Sequence, residues 1–136
     1  MAEITYKMNN DNVNWDEMKA TLIADHFDNG RTPEQLKRSF ENSAVVCIAY
    51  AGERIIGTAR ALSDGVCNAY VVDVWTLSEF RHRGIASRMM RLLMERLEGQ
   101  HIYLFTEEAA EFYAQLGFRP RGLGLEVVVG RWLQSG

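Results

Sequence analysis

The stretch Val71-Val72-Asp73-Val74-Trp75-Thr76-Leu77 followed by Arg81-His82-Arg83-Gly84-Ile85-Ala86-Ser87 decides the fold. An apolar run, a short basic turn with one glycine, and an amphipathic segment in that order predict a strand, a phosphate-binding turn and a helix. The first turn of a helix has backbone N–H groups without intrahelical partners and the positive end of the macrodipole, so it can hold an anion without a lysine. Gly84 allows close approach to the main chain, and Ala86 is small for the same reason. Arg81, His82 and Arg83 add a basic or polar edge. No G-x-x-x-x-G-K-[ST] run occurs, and no G-x-G-x-x-G follows the first strand, so two familiar nucleotide loops are excluded and another phosphate ligand is implied.

Outward from this cradle, the chain reads as one α+β domain spanning residues 1–136. Alternation predicts a strand over residues 3–8, and helical spacing of Trp15, Met18, Leu22, Ile23 and Phe27 predicts a helix over 14–27. Thr32, Pro33 and Gln35 form a capping box that opens a second helix with Leu36 and Phe40 on one face. Strands over 44–51 and 54–62 are joined by the Gly52-Glu53 turn as a hairpin. Ser63-Asp64-Gly65 then turns into the strand of 67–77. Helix three, 84–98, carries an apolar stripe of Ile85, Met89, Leu92, Leu93 and Leu97 and ends at Gly99. A strand over 101–105, a helix over 107–116 and a last strand over 127–133 complete the expected order.

Hydrophobic residues make up 47% of the chain, enough for one packed core, and the net charge of -3 argues against a general nucleic-acid binder. Arg81, Arg83, Arg88 and Arg91 cluster locally, although Arg88 and Arg91 also read as a solvated helix face. Cys47 and Cys67 lack metal or redox spacing and are expected as reduced core residues; neither is flanked by a group that would activate a thiol. No Cys/His/Asp spacing suggests a metal. With no secretory signal and no apolar run of about twenty residues, a cytoplasmic protein without membrane association is expected, or a plastid stromal one if a transit peptide has been removed.

The Arg81-x-x-Gly84-x-Ala86 cradle, followed by Glu111-Phe112-Tyr113-Ala114-Gln115-Leu116-Gly117-Phe118, resembles the GNAT superfamily of acetyl-CoA-dependent N-acetyltransferases. A closer similarity, to plant plastid and cyanobacterial arylalkylamine (serotonin-type) N-acetyltransferases, rests on Arg31-Thr32-Pro33-Glu34-Gln35-Leu36-Lys37-Arg38-Ser39, Ser63-Asp64, Asn68-Ala69, Val72-Asp73-Val74 and Phe112-Tyr113. The resemblance implies a single GNAT-like domain: a central, mostly antiparallel sheet with a parallel splayed pair, flanked by four helices. It implies that acetyl-CoA binds along the backbone of Val74, Trp75 and Thr76, with its pyrophosphate at Arg81, His82, Arg83, Gly84, Ile85, Ala86 and Ser87. It also implies that Tyr113 reaches the thioester sulfur as the acid for the leaving thiolate. Where many members carry Asn at the start of the fourth helix, this chain has Thr106, which can still cap the helix.

Some alternatives stay open at this level. Tyr113 also reads as a core aromatic beside Phe112. Asp73 is the only acid of its strand and is a candidate general base, but alternation puts it opposite Tyr70, Val72 and Val74 unless a bulge resets the register; it reads equally as a buried acid satisfied by backbone or Arg60. Asp64 is a second acid, though Asp before Gly is ordinary turn chemistry. His82 and His101 are further candidates, since histidine is the usual side chain for general-base chemistry, although His82 also reads as facing the nucleotide or solvent and His101 as merely opening a strand. The expected reaction is acetyl transfer to a primary amine, an arylalkylamine or polyamine. A protein or peptide amine, or a non-catalytic acyl-CoA-binding sensor, are the competing readings, and a pure binder has no need of Tyr113. Tyr50, Tyr70, Trp75, Trp132 and Met8 are candidates for an acceptor pocket, and Val127 to Leu133 for a homodimer contact.

Overall fold

The computed structural model describes residues 3–134. They divide into two compact units, the first reaching Leu104 and the second starting at Phe105. The first unit holds strand β1 (Ile4–Lys7), helix α1 (Trp15–Ala24), helix α2 (Pro33–Glu41), the strands β2 (Val45–Ala51), β3 (Arg54–Ser63) and β4 (Asn68–Thr76), helix α3 (Ile85–Glu95) and strand β5 (His101–Tyr103). The second contains helix α4 (Ala110–Gln115). The sheet order is β1-β2-β3-β4-β5; every neighbouring pair is antiparallel except β4 and β5, which run parallel.

Local chemistry accounts for most of these elements. The predicted capping box is formed: Gln35 N–H donates to the Thr32 hydroxyl at 3.1 Å and Thr32 N–H to the Gln35 carboxamide at 2.9 Å. Helix α1 ends three residues before the expected Phe27, because His26 takes a left-handed φ of 59°. The Phe27 N–H then donates to the Leu22 carbonyl at 2.9 Å and the His26 N–H to the Ile23 carbonyl at 3.2 Å, a Schellman close with histidine where glycine is usual.

The core lies on both sides of the sheet. Ile85, Met89, Met90, Leu93 and Leu97 of the α3 segment are buried, and a Cβ on Gly57 of β3 would stand 3.0 Å from the Met89 methyl and 3.2 Å from the Trp75 carbonyl. Glycine at 57 therefore lets α3 sit close against the sheet. Met18 and Leu22 of α1 and Leu36 and Phe40 of α2 are also buried, with Trp15 and Phe40 rings 5.5 Å apart.

Three expectations are corrected. The last strand over 127–133 does not form: these residues have no ladder partner, and Val127 and Val129 are more than four-fifths exposed. A β-prone run without a paired edge has nowhere to place its backbone groups in a sheet. Cys47 is a core residue, but Cys67 is exposed, because it sits in the turn before β4 rather than within the strand. Thr106 does not cap the fourth helix; its hydroxyl accepts from the Ala109 N–H at 3.0 Å, closing a turn ahead of a helix that starts at Ala110.

Candidate active site

Strand β4 outruns its parallel neighbour. The two pair only from Asn68 with His101 to Tyr70 with Tyr103, while β4 continues to Thr76. Its β5-facing backbone groups over residues 71–76 therefore have no strand partner on that side, which leaves a hydrogen-bonding edge for an extended ligand. The Thr76 hydroxyl is buried in this stretch without a hydrogen-bond partner.

The same stretch carries a β-bulge. Thr58 pairs with Trp75 and Arg60 with Val72, so Asp73 and Val74 together face Ala59 alone. Asp73 takes a left-handed φ of 57°, and its carbonyl accepts from the Thr58 hydroxyl at 2.8 Å. The bulge resets the register and brings the Asp73 carboxylate to Arg60, which simple alternation would not do. Arg60 Nε donates to Oδ2 at 2.6 Å; Arg31 donates to both oxygens, Nη1 to Oδ2 at 3.0 Å and Nη2 to Oδ1 at 3.1 Å. Each carboxylate oxygen is thus already engaged by a guanidinium, the geometry of a paired buried acid.

The basic turn follows. His82 and Gly84 both have positive φ, 63° and 79°, and Gly84 is the N-cap of α3 with no side chain bonded to the helix end. The first intrahelical bond runs from the Arg88 N–H to the Gly84 carbonyl at 3.0 Å, which leaves the Ile85, Ala86 and Ser87 N–H groups at the open end. A Cβ built on Gly84 meets nothing within 4 Å, so the glycine borders open space. These features fit a pyrophosphate group: oriented N–H donors, a positive dipole end and room for the anion. Arg81, His82 and Arg83 are exposed or partly exposed around it. Arg83 lies over the Phe80 ring at 5.1 Å. Arg81 shapes the turn instead of reaching outward, its Nε donating to the Thr76 carbonyl at 3.1 Å and its Nη2 standing 3.5 Å from the Asp25 carboxylate.

The remaining candidates separate clearly. Asp64 is a turn residue: its Oδ1 accepts from the N–H groups of Val66, Cys67 and Asn68 at 2.8, 2.8 and 3.2 Å. Those bonds, the one from Cys67 first, hold its carboxyl far below the ordinary aspartate value, so it makes a poor base. Burial pushes the Cys47 thiol up to about 12, which keeps it protonated and inert. His101 stacks on Tyr103, whose hydroxyl lies 3.0 Å from its Nδ1. Tyr50 and Trp75 are core residues and not pocket walls, and the Trp75 indole N–H donates to Asp25 at 2.9 Å. Tyr70 is exposed. Its cross-strand partners Leu62 and Tyr103 are exposed too, forming a row across β3, β4 and β5.

In the second unit, Tyr113 is buried and meets Phe112 and Phe118 edge-on, with centroids 4.9 and 5.8 Å apart. Burial raises its phenol above the ordinary tyrosine value, so it stays protonated over a wider range. Among the described residues no group of three or more His, Cys, Asp or Glu is placed to hold a metal, and no helix is long and apolar enough to cross a membrane.

Residues 42–120 match the model of the acetyltransferase (GNAT) domain, which takes in the bulge, the open edge and the cradle. The chain belongs to the GNAT family. It is similar to a rice protein named serotonin N-acetyltransferase 2, chloroplastic, with 34% identity over 96 residues, 65% of this chain and 48% of that protein. The chain spans about half the length of that curated relative. The fold is shared with an acetyltransferase of the GNAT family from Streptococcus pneumoniae TIGR4, at 24% identity and a TM-score of 0.79 over 95% of this chain and 100% of that one. It is shared as well with a protein placed in the GNAT family from Xanthomonas campestris pv. campestris, at 23% identity and a TM-score of 0.81 over 98% of this chain and 99% of that one. The five-stranded sheet with one parallel pair and four helices is thus a GNAT fold, as the cradle and the Phe112-Tyr113 motif imply.

What sequence reasoning missed is Arg31 and Asp25. Arg31 is buried, at 7% exposure, and an arginine so enclosed is the signal that a partner must lie nearby; nothing in linear order points to Asp73.

Proposed function

We propose that this GNAT domain, residues 1–136, transfers the acetyl group of acetyl-CoA directly to a small primary amine, and that its preferred acceptors are arylalkylamines. The observation that carries the acetyl-CoA half is the coincidence of the open β4 edge with the left-handed Gly84 cradle at its end. Val74, Trp75 and Thr76 offer backbone groups to the pantetheine arm. The N–H groups from Arg83 to Ser87 take the pyrophosphate, with Arg81, His82 and Ile85 shaping the turn and the helix start. When bound, acetyl-CoA supplies the activated thioester.

The chain's own residues then have three tasks. A backbone N–H of the Val74–Thr76 stretch on the open edge would stabilise the negative charge that grows on the carbonyl oxygen as the amine nitrogen bonds to carbon. Tyr113, carried over from the family motif, donates its phenolic proton to the thiolate as the C–S bond breaks; its burial keeps that proton available. The amine must attack unprotonated. Asp73, with both oxygens held by arginines, is proposed to fix the strand rather than to take the amine proton, which leaves through solvent.

The acceptor class is supported by the exposed Leu62–Tyr70–Tyr103 row, which suits an aromatic ring, and by the name of the rice relative. The test is an acceptor panel of arylalkylamines, polyamines, amino acids and a lysine peptide, followed by free thiol. An arylalkylamine should give the highest kcat/KM; preference for the peptide would favour the protein-amine reading, and thiol release with no amine would point to a thioester hydrolase. Thiol-free cofactor binding alone would leave the sensor. We place the protein in a reducing compartment, the cytoplasm or a plastid stroma, on the two free cysteines, and assign a homodimer contact to the exposed Val127–Val129 run, which gel filtration with light scattering would reveal.

A further inference from the structure

The connection between α1 and α2 grips β4 at two points on either side of Val74. At its far end stands Arg31, which reaches the bulge through its fork on Asp73. That guanidinium is itself aimed: Nε donates to the Asn29 carboxamide oxygen at 2.9 Å and Nη1 to the Ser39 hydroxyl at 2.7 Å. At its near end stands Asp25, whose Oδ2 accepts from the Trp75 indole at 2.9 Å and the Ser78 N–H at 3.2 Å, while Oδ1 accepts from the Ser78 hydroxyl at 2.6 Å. Asp25 also faces Arg81, the residue that ties the cradle to the Thr76 carbonyl.

We propose that Asp25 and Arg31 are positioning residues: a two-point clamp from the α1–α2 connection that holds the β4 bulge, and through it aims the backbone of Val74–Thr76 at the pantetheine arm. This rests on the acetyl-CoA reading. The physical need for a clamp is plain. A residue with a side chain disfavours the left-handed conformation that Asp73 adopts, and an open strand edge has no neighbour to hold its pleat. The side chains of Arg31, Asp73 and Arg60 are 8, 12 and 12% exposed, so solvent screens the ion pairs little, and a planar fork on a carboxylate fixes direction as well as distance. The two points have different reach. Of β4 and the cradle, Arg31 holds only the bulge, whereas Asp25 holds both β4 and the cradle arginine.

That difference makes the clamp testable with two ligands: coenzyme A, and 3′-phosphoadenosine 5′-diphosphate, its nucleotide half without the pantetheine arm. Titration calorimetry is run on the full chain at a temperature where circular dichroism shows each variant folded. Arg31→Met is expected to raise the Kd of coenzyme A about tenfold, and Arg31→Lys, which keeps the charge but loses the fork, about threefold, with nucleotide binding unchanged in both. Asp25→Asn is expected to weaken both ligands. A purely architectural role for Arg31 would lower thermal stability and leave both Kd values of the folded protein alone, and that result, or equal weakening of both ligands by either Arg31 variant, overturns the clamp. Should Arg31→Met not fold, Arg31→Lys carries the same test. A wild-type protein that binds the nucleotide half but gains nothing from the pantetheine arm also overturns it. Failure of the wild type to bind either ligand overturns the acetyl-CoA reading beneath it, and the clamp with it.

Discussion

Substituting Gly84 perturbs the cradle in two separable ways. With φ at 79° and nothing within 4 Å of a built Cβ, Gly84→Ala meets no steric obstacle, only the backbone penalty of a left-handed residue, about 1–2 kcal/mol. For 136 residues the unfolding entropy is about 0.29 kcal/mol/K, so the free protein should melt roughly 3–7 °C lower. Ligand stabilisation is a different quantity. At a hundredfold excess over Kd, coenzyme A should add about 2.7 kcal/mol to the wild type, or about 9 °C. Gly84→Glu places a carboxylate at the phosphate site and should lower the free melting temperature about as much as Gly84→Ala while abolishing the 9 °C gain. Differential scanning calorimetry with and without coenzyme A reads both effects. A wild type indifferent to coenzyme A, or a Gly84→Glu protein that gains as much as the wild type, would refute the assignment of the cradle.

Tyr113→Phe should lower kcat with little change in acetyl-CoA affinity; because burial raises the phenol, the alkaline fall in wild-type rate that reports its deprotonation should lie above the ordinary value of about 10. Asp73→Asn should reduce turnover without removing the acidic limb of the pH–rate profile, since that limb would belong to the amine; loss of the limb would make Asp73 the base. Burial alone would raise the Asp25 carboxyl, but donors from Ser78 and Trp75 and the nearby Arg81 outweigh it and hold it below the ordinary aspartate value. Its contribution to stability is therefore complete above the unfolded value of about 3.9 and lost as pH falls through the lower folded value, so Asp25→Asn should flatten the acid side of a urea-midpoint profile measured from pH 5 downward.

The elements that could be read in sequence are those fixed by local chemistry. Thr32, Pro33 and Gln35 specify the start of α2 within four residues, and the stripe from Ile85 to Leu93 specifies α3, because capping and amphipathic burial are short-range effects; α3 closes at Glu95, short of the expected Glu98. The cradle belongs to the same class, since a glycine at a helix N-terminus needs no distant partner. The failures arose where a missing partner strand or a single backbone turn outweighed composition and spacing. Val127–Leu133 has the composition of a strand but no paired edge, and Phe27 has helical spacing but follows a histidine whose left-handed turn ends α1. At the site, alternation gave the two faces of β4 up to the bulge, beyond which the side of Asp73 depends on Arg31, 42 residues earlier, and on Arg60. Such a pairing across 42 residues leaves no linear signal.

The central claim is acetyl transfer from acetyl-CoA to an amine nitrogen, and mass-balance kinetics test it most directly. The purified chain is incubated with acetyl-CoA and an arylalkylamine such as tryptamine, while free thiol is followed by colour reaction and the acetylated amine by mass spectrometry. Equal molar appearance of free coenzyme A and N-acetyl product, with Gly84→Glu producing neither, is the result predicted. Thiol release without acetylated amine, or no turnover with any amine of the panel, would contradict it.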